Sequence, residues 1–188
     1  MAELAPAALP PVRELKVTEA AALDALLASE ETPFVVRGLV ADWPLVKAAR
    51  QGDRAVRAYL ADKARPIDFT VSMAGPDIGG RLFYDDAMGV NFRMGKGRLP
   101  DIFAGFDKAE NLPFDQVPTV YLGSVDVHQF FDGVAQDNPL DLGERAPLLS
   151  LWIGNGTRIA AHNDFPDNLA CVVAGPARSV RQSLSRPD

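Results

Sequence analysis

At 188 residues the chain is long enough for one domain with a substantial core, and too short to call for several. Its 47% hydrophobic and 23% charged content excludes disorder throughout, and a net charge of -6 with scattered Lys and Arg argues against binding a nucleic-acid backbone through a basic stripe. The single cysteine, Cys171, excludes an intrachain disulfide and points to a reduced compartment.

Residues 1 to about 16, with Pro6, Pro10 and Pro11, read as a loose leader with little capacity for pairing. No basic start with an apolar run and no stretch of about 18 apolar residues is found, so a cytoplasmic protein without a membrane segment is expected. Thr18 offers an N-cap, and Leu23, Leu26 and Leu27 at helical spacing predict a helix to about Ala28. Phe34 to Arg37, closed by Gly38, predicts a strand. Pro44 in a first turn predicts a second helix, and Val56, Tyr59 and Leu60 on one side predict a third over 52–63.

Beyond Pro66 the pattern changes to short extended runs: 67–73, 81–84, 90–93, 119–124, 148–154, 157–162 and 168–174. Helical turns are expected near 99–106 and 125–131. Many short strands separated by Gly and Pro suggest a barrel or sandwich. Asn155-Gly156, two residues tolerant of positive φ between apolar runs, predicts a tight hairpin that leads to His162.

His162-Asn163-Asp164 is the motif with chemistry in it. Residues i and i+2 of a strand share a face, so an imidazole and a carboxylate can grip one ion, as two members of the facial triad of non-haem Fe(II) oxygenases do. By spacing alone, a surface pair beyond a strand explains the two residues better.

The longer stretch from Ser150 to Gly175 closely resembles the core of the cupin-like JmjC family. It runs strand, tight turn, strand, His-x-Asp, an Asn six residues after the His, then a glycine at the end of the next strand. Phe34 to Pro44, Val90 to Arg93 and Val120 to Leu122 stand in similar family order, so the resemblance covers about residues 32 to 175. That family includes the asparaginyl hydroxylase acting on hypoxia-inducible factor.

The resemblance implies an α+β fold, mainly β: a cupin or double-stranded β-helix jelly roll with N-terminal helices. It implies Fe(II) and the cosubstrate 2-oxoglutarate, His162 and Asp164 as metal ligands, and Tyr121 and Asn168 on 2-oxoglutarate. The implied activity is hydroxylation of a protein or peptide substrate.

The sequence departs from the family pattern at three places. Ile159 stands where relatives place a 2-oxoglutarate-binding Thr or Ser, and Thr157, two residues earlier on the same strand face, is the substitute. Ala177 stands where a basic residue would meet the distal carboxylate, with Arg178 adjacent. No histidine follows His162, and His128 precedes the motif in an expected helical turn, where it reads as an ordinary exposed residue.

The expected organisation is therefore a leader at 1–16, a partial cupin-like JmjC domain at 17–175 lacking its C-terminal part, and an unrelated tail at 176–188, as from a shifted frame or a truncated gene. An alternative function is a cupin-like binding or dimerisation module without turnover. A homodimer would cover the open strand edges of such a partial barrel.

Overall fold

The computed structural model describes residues 11–17, 20–160, 162, 164 and 167–175. The N-terminal third holds three helices, α1 (Ala20–Ser29), α2 (Pro44–Ala49) and α3 (Asp53–Lys63). Leu23 buries α1, Leu45 buries α2, and Leu60, with Val56 and Tyr59 beside it, buries one side of α3. Pro44 occupies the first turn of α2, where a missing amide costs nothing. The amide of Leu45 is met from far along the chain by Asn138 Oδ1 at 3.0 Å, and Trp43 Nε1 donates to Pro139 O at 2.7 Å. Thr18, the expected cap of α1, lies outside the described residues.

Part of the expected leader is paired. Strand β1 (Arg13–Leu15) runs parallel to β2 (Phe34–Val36), and the exposed Glu14–Arg37 ion pair, 2.6 Å, fastens the two. The backbone ladder holds this short segment in place despite its poor strand composition.

The main sheet is four-stranded and antiparallel, in the order β5 (Arg93–Gly97), β3 (Phe69–Ala74), β6 (Thr119–Asp126), β7 (Ser150–Gly154). Its register pairs Ser72 with Tyr121 and Tyr121 with Gly154. One face is dry. Phe69 and Val71 of β3 and Leu122 and Val125 of β6 pack there against Leu99, Phe103 and Phe106 of α4 (Leu99–Ala109). Those residues of α4 recur at three- and four-residue spacing, which puts them on one helical stripe. Phe69 lies at the centre, its ring 4.7 Å from Phe130 and 5.6 Å from Phe131. The other face, carrying Ser72, Met94, Tyr121 and Trp152, is largely open; Met94 and Trp152 are exposed.

Short helices α5 (Val127–Phe130) and α6 (Val134–Asp137) follow β6, and Asp126 Oδ1 caps α5 by accepting from Gln129 N at 2.9 Å. A bulge interrupts β6 between Leu122 and Val125, where Ser124 takes a positive φ of 52°. Among the described residues no helix is long and apolar enough to cross a membrane.

Four expected strands differ. Only Arg81–Leu82 of the run 81–84 forms a strand, β4. Residues 90–93 give a single bridge, Val90 to Tyr84, because the Asn91 side chain takes the local backbone partners Phe83 N and Arg81 O; the strand starts at Arg93 instead. The run 157–162 shortens to β8 (Arg158–Ile159), and residues 168–174 form no strand.

Candidate metal and cosubstrate site

The turn between β7 and β8 does not close a hairpin: β7 pairs with β6, and β8 pairs in parallel with β4. Asn155 is not in the left-handed region; it works through its side chain. Its Oδ1 accepts from Val120 N at 2.9 Å and its Nδ2 donates to Pro118 O at 2.8 Å, clamping the turn onto the start of β6. Gly156 alone takes the positive φ, 105°. The chain then passes close to Gly80, where an added Cβ would meet Gly156 O at 2.5 Å, and Arg158 N donates to Gly80 O at 2.8 Å. Docking of β8 on β4 thus fixes where the segment with His162 departs.

His162 and Asp164 lie in irregular chain beyond β8, not on the expected strand, yet their side chains meet. His162 Nε2 stands 3.6 Å from Asp164 Oδ1, and both side chains are about half exposed, at 51% and 49%. His162 Nδ1 lies 2.8 Å from Ala160 O. A carbonyl oxygen only accepts, so Nδ1 carries a hydrogen and Nε2 is the ring nitrogen turned toward the carboxylate. The second carboxylate oxygen, Oδ2, accepts from Asn168 Nδ2 at 2.9 Å. The structure therefore brings His162, Asp164 and Asn168 together, with Asn168 bonded to the carboxylate.

Tyr121 and Thr157 form a second cluster around Gly154. A Cβ on Gly154 would stand 2.6 Å from Thr157 Oγ1 and 3.2 Å from Tyr121 Cδ2, so both side chains lean over the space that glycine leaves. The Tyr121 ring is half-buried on the open sheet face, 6.2 Å from the Trp152 ring, and burial pushes its hydroxyl up to about 12. The hydroxyl therefore stays a donor at neutral pH. Ile159 is exposed, and His128 is exposed on α5, where among the described residues it joins no group of three His, Cys, Asp or Glu. Ala177 and Arg178 lie outside the described residues.

The donor set can be weighed against a first-row divalent ion. Two ligands bonded at about 2.0–2.2 Å stand roughly 3 to 4 Å apart, so the His162–Asp164 separation of 3.6 Å suits two adjacent positions on one ion. An imidazole whose other nitrogen is tied to a carbonyl and a carboxylate held by an amide are the outer contacts that orient metal ligands. Among the described residues no third His, Cys, Asp or Glu joins them.

Sequence reasoning missed the Ala160 carbonyl tether, which leaves no trace in side-chain identity, and the Asn155 clamp, which an Asn-Gly pair disguises as turn chemistry. Asn168, four residues after Asp164, was visible, but its carboxylate partner was not.

A short-helix and antiparallel-sheet architecture of this kind, mixed α and β, agrees with a jelly-roll cupin. Residues 20–179 match the cupin-like domain family, and the chain belongs to that family. No curated protein matches the chain.

Proposed function

We propose that this cupin-like domain supplies two ligands of an Fe(II) site, His162 and Asp164, in an oxygenase that uses 2-oxoglutarate to hydroxylate a protein or peptide. The single observation behind the proposal is His162 Nε2 standing 3.6 Å from Asp164 Oδ1, with Nδ1 held by Ala160 O. Fe(II) in such a site supplies the power to oxidise an unactivated C–H bond with O₂ while 2-oxoglutarate becomes succinate and CO₂. His162, its Nδ1 held by Ala160 O, would offer Nε2 to the ion. Asp164 contributes one negative charge, and Asn168 keeps its plane from rotating. Tyr121, protonated at neutral pH, offers a directional hydrogen bond to a cosubstrate carboxylate without adding charge. Thr157, leaning over Gly154 beside it, is the second hydroxyl available for that carboxylate.

Anaerobic Fe(II) loading followed by metal analysis tests the proposal. The chain should retain iron in stoichiometric amount and His162→Ala should lose it; equal retention by both would remove the site. Succinate formation that depends on iron and 2-oxoglutarate tests the activity.

The lack of a third converging ligand among the described residues favours a second reading, a cupin-like binding module without turnover. Iron retention that depends on His162 without any succinate would select it.

A further inference from the structure

Strands β4 and β8 pair in parallel with Arg81 beside Arg158 and Leu82 beside Ile159. Neighbouring strands lie about 4.8 Å apart, and directly paired residues point to the same face. Two arginine side chains therefore leave one exposed face together, opposite the face on which Leu82 is buried. Like charges set directly across a strand pair oppose the pairing, yet the backbone beneath them is firmly fixed. Arg158 N donates to Gly80 O at 2.8 Å, and the Asn91 side chain holds Arg81 O and Phe83 N at 2.8 Å each. The Arg81 guanidinium carbon lies 4.8 Å from the centre of the Phe83 ring, which meets the Tyr84 ring near-perpendicularly at 5.5 Å. A guanidinium resting on an aromatic face keeps its N–H edge for an anion.

Most arginines of the chain, among them Arg37, Arg57, Arg65 and Arg98, carry an acidic partner. Among the described residues Arg81 and Arg158 carry none, and the acid nearest to Arg81 in sequence, Asp85, turns its Oδ1 onto Ala87 N and Gly89 N. Of the acids in the sequence only Glu3, Glu19 and Asp188 lie outside the described residues. In a chain of net charge -6, two adjacent cations anchored to a paired backbone are a local exception. The pair is also distinct from the cluster offered to the cosubstrate. Thr157 leans over Gly154 toward Tyr121, and successive side chains of extended chain point to opposite faces, which sends Arg158 away from Tyr121.

We infer that Arg81 and Arg158 together grip an acidic side chain of the peptide substrate. The inference rests on reading the chain as a peptide oxygenase, and it names the substrate class: peptides with Asp or Glu close to the residue that is oxidised. Two guanidinium forks match the planar oxygens of carboxylates and relieve their mutual repulsion when they do so. Only four residues separate Arg158 from His162, so their Cα atoms are at most about 14 Å apart. One short extended peptide can therefore cover both the arginine pair and His162.

Fluorescence anisotropy on the full chain at low ionic strength tests this without iron or turnover. The probes are a labelled Gly-Ser peptide with a central Glu-Glu pair and its Gln-Gln twin. The wild type should bind the Glu peptide about tenfold tighter than the twin, the worth of one charge-assisted hydrogen bond. Arg158→Gln and Arg81→Gln should each abolish that preference, and Arg158→Lys, which keeps the charge without the fork, should retain only part of it. Arg50→Gln, which removes an equal charge elsewhere on the surface, should leave it intact. Circular dichroism confirms folding; if Arg81→Gln does not fold, Arg158→Gln decides, since it removes a like-charge contact and loses no ion pair. Equal binding of the two peptides by wild type overturns the inference, as does a preference that survives Arg158→Gln or one lost equally on Arg50→Gln. Displacement of the Glu peptide by free 2-oxoglutarate also overturns it, by assigning the pair to the cosubstrate. None of these outcomes touches iron retention by His162 and Asp164, so failure here is separate from failure of the oxygenase reading.

Discussion

Asn168 Nδ2 donates to Asp164 Oδ2 at 2.9 Å, leaving Oδ1 of the same carboxylate turned toward His162. The two oxygens thus have different tasks. An amide bonded to one oxygen steadies the carboxylate plane, and the other oxygen is the one the proposed metal ion would take.

We predict that Asn168→Ala weakens Fe(II) affinity about 10- to 100-fold, the range that loss of an outer-shell partner produces. Fe(II) or Co(II) titration of the folded variant measures it. Affinity equal to wild type would show that Asp164 needs no support.

Tyr121 has a folded-state value of about 12, raised from its ordinary 10.0 by burial. A raised acid keeps its contribution below the unfolded value and loses it as pH climbs, because the unfolded chain ionises first. Stability should therefore decline between about pH 10 and 12, and Tyr121→Phe should flatten that decline. Urea melts across the alkaline range compare the two; parallel curves would refute the assignment.

Asn155 offers a sharp contrast between turn chemistry and clamp chemistry. As a left-handed turn residue it would be replaced by glycine at little cost. As the clamp on Val120 N and Pro118 O it should cost about 1–3 kcal/mol on Asn155→Gly, because a partly buried amide loses its acceptor. Chemical denaturation distinguishes them, and a neutral outcome favours the turn.

Gly80 has φ of 82°, and an added Cβ would lie 2.5 Å from the backbone oxygen of Gly156. Gly80→Ala should destabilise by about 1–3 kcal/mol from the backbone conformation alone, with the contact adding to it. It should also raise hydrogen exchange at Arg158 N, whose bond to Gly80 O ties β8 to β4. Unchanged exchange would mean that β8 is held by other means.

The sequence showed those parts of the fold that are locally determined. Helices α2 and α3 follow from Pro44 and from the Val56, Tyr59, Leu60 stripe, and α4 from its aromatic spacing. Strand β5 was hidden, since Arg-Met-Gly-Lys-Gly has neither β-branched nor aromatic residues; pairing with β3 makes it a strand. The neighbouring run at Val90 had better strand composition and lost it to the Asn91 side chain. At the site, His162 and Asp164 could be read as a pair because their encounter is local. Their support by Ala160 O and the docking of β8 depend on backbone groups, which composition does not reveal.

The bonds from Asn138 to Leu45 and from Trp43 to Pro139 span 93 and 96 positions. At about 5–20 residues per second of synthesis, the segment around α2 waits roughly 5 to 20 seconds on the ribosome before its partners are made. During that interval Leu45 N and the Trp43 indole have only water to donate to. The entry to α2 is thus completed from behind, by a loop synthesised long after it.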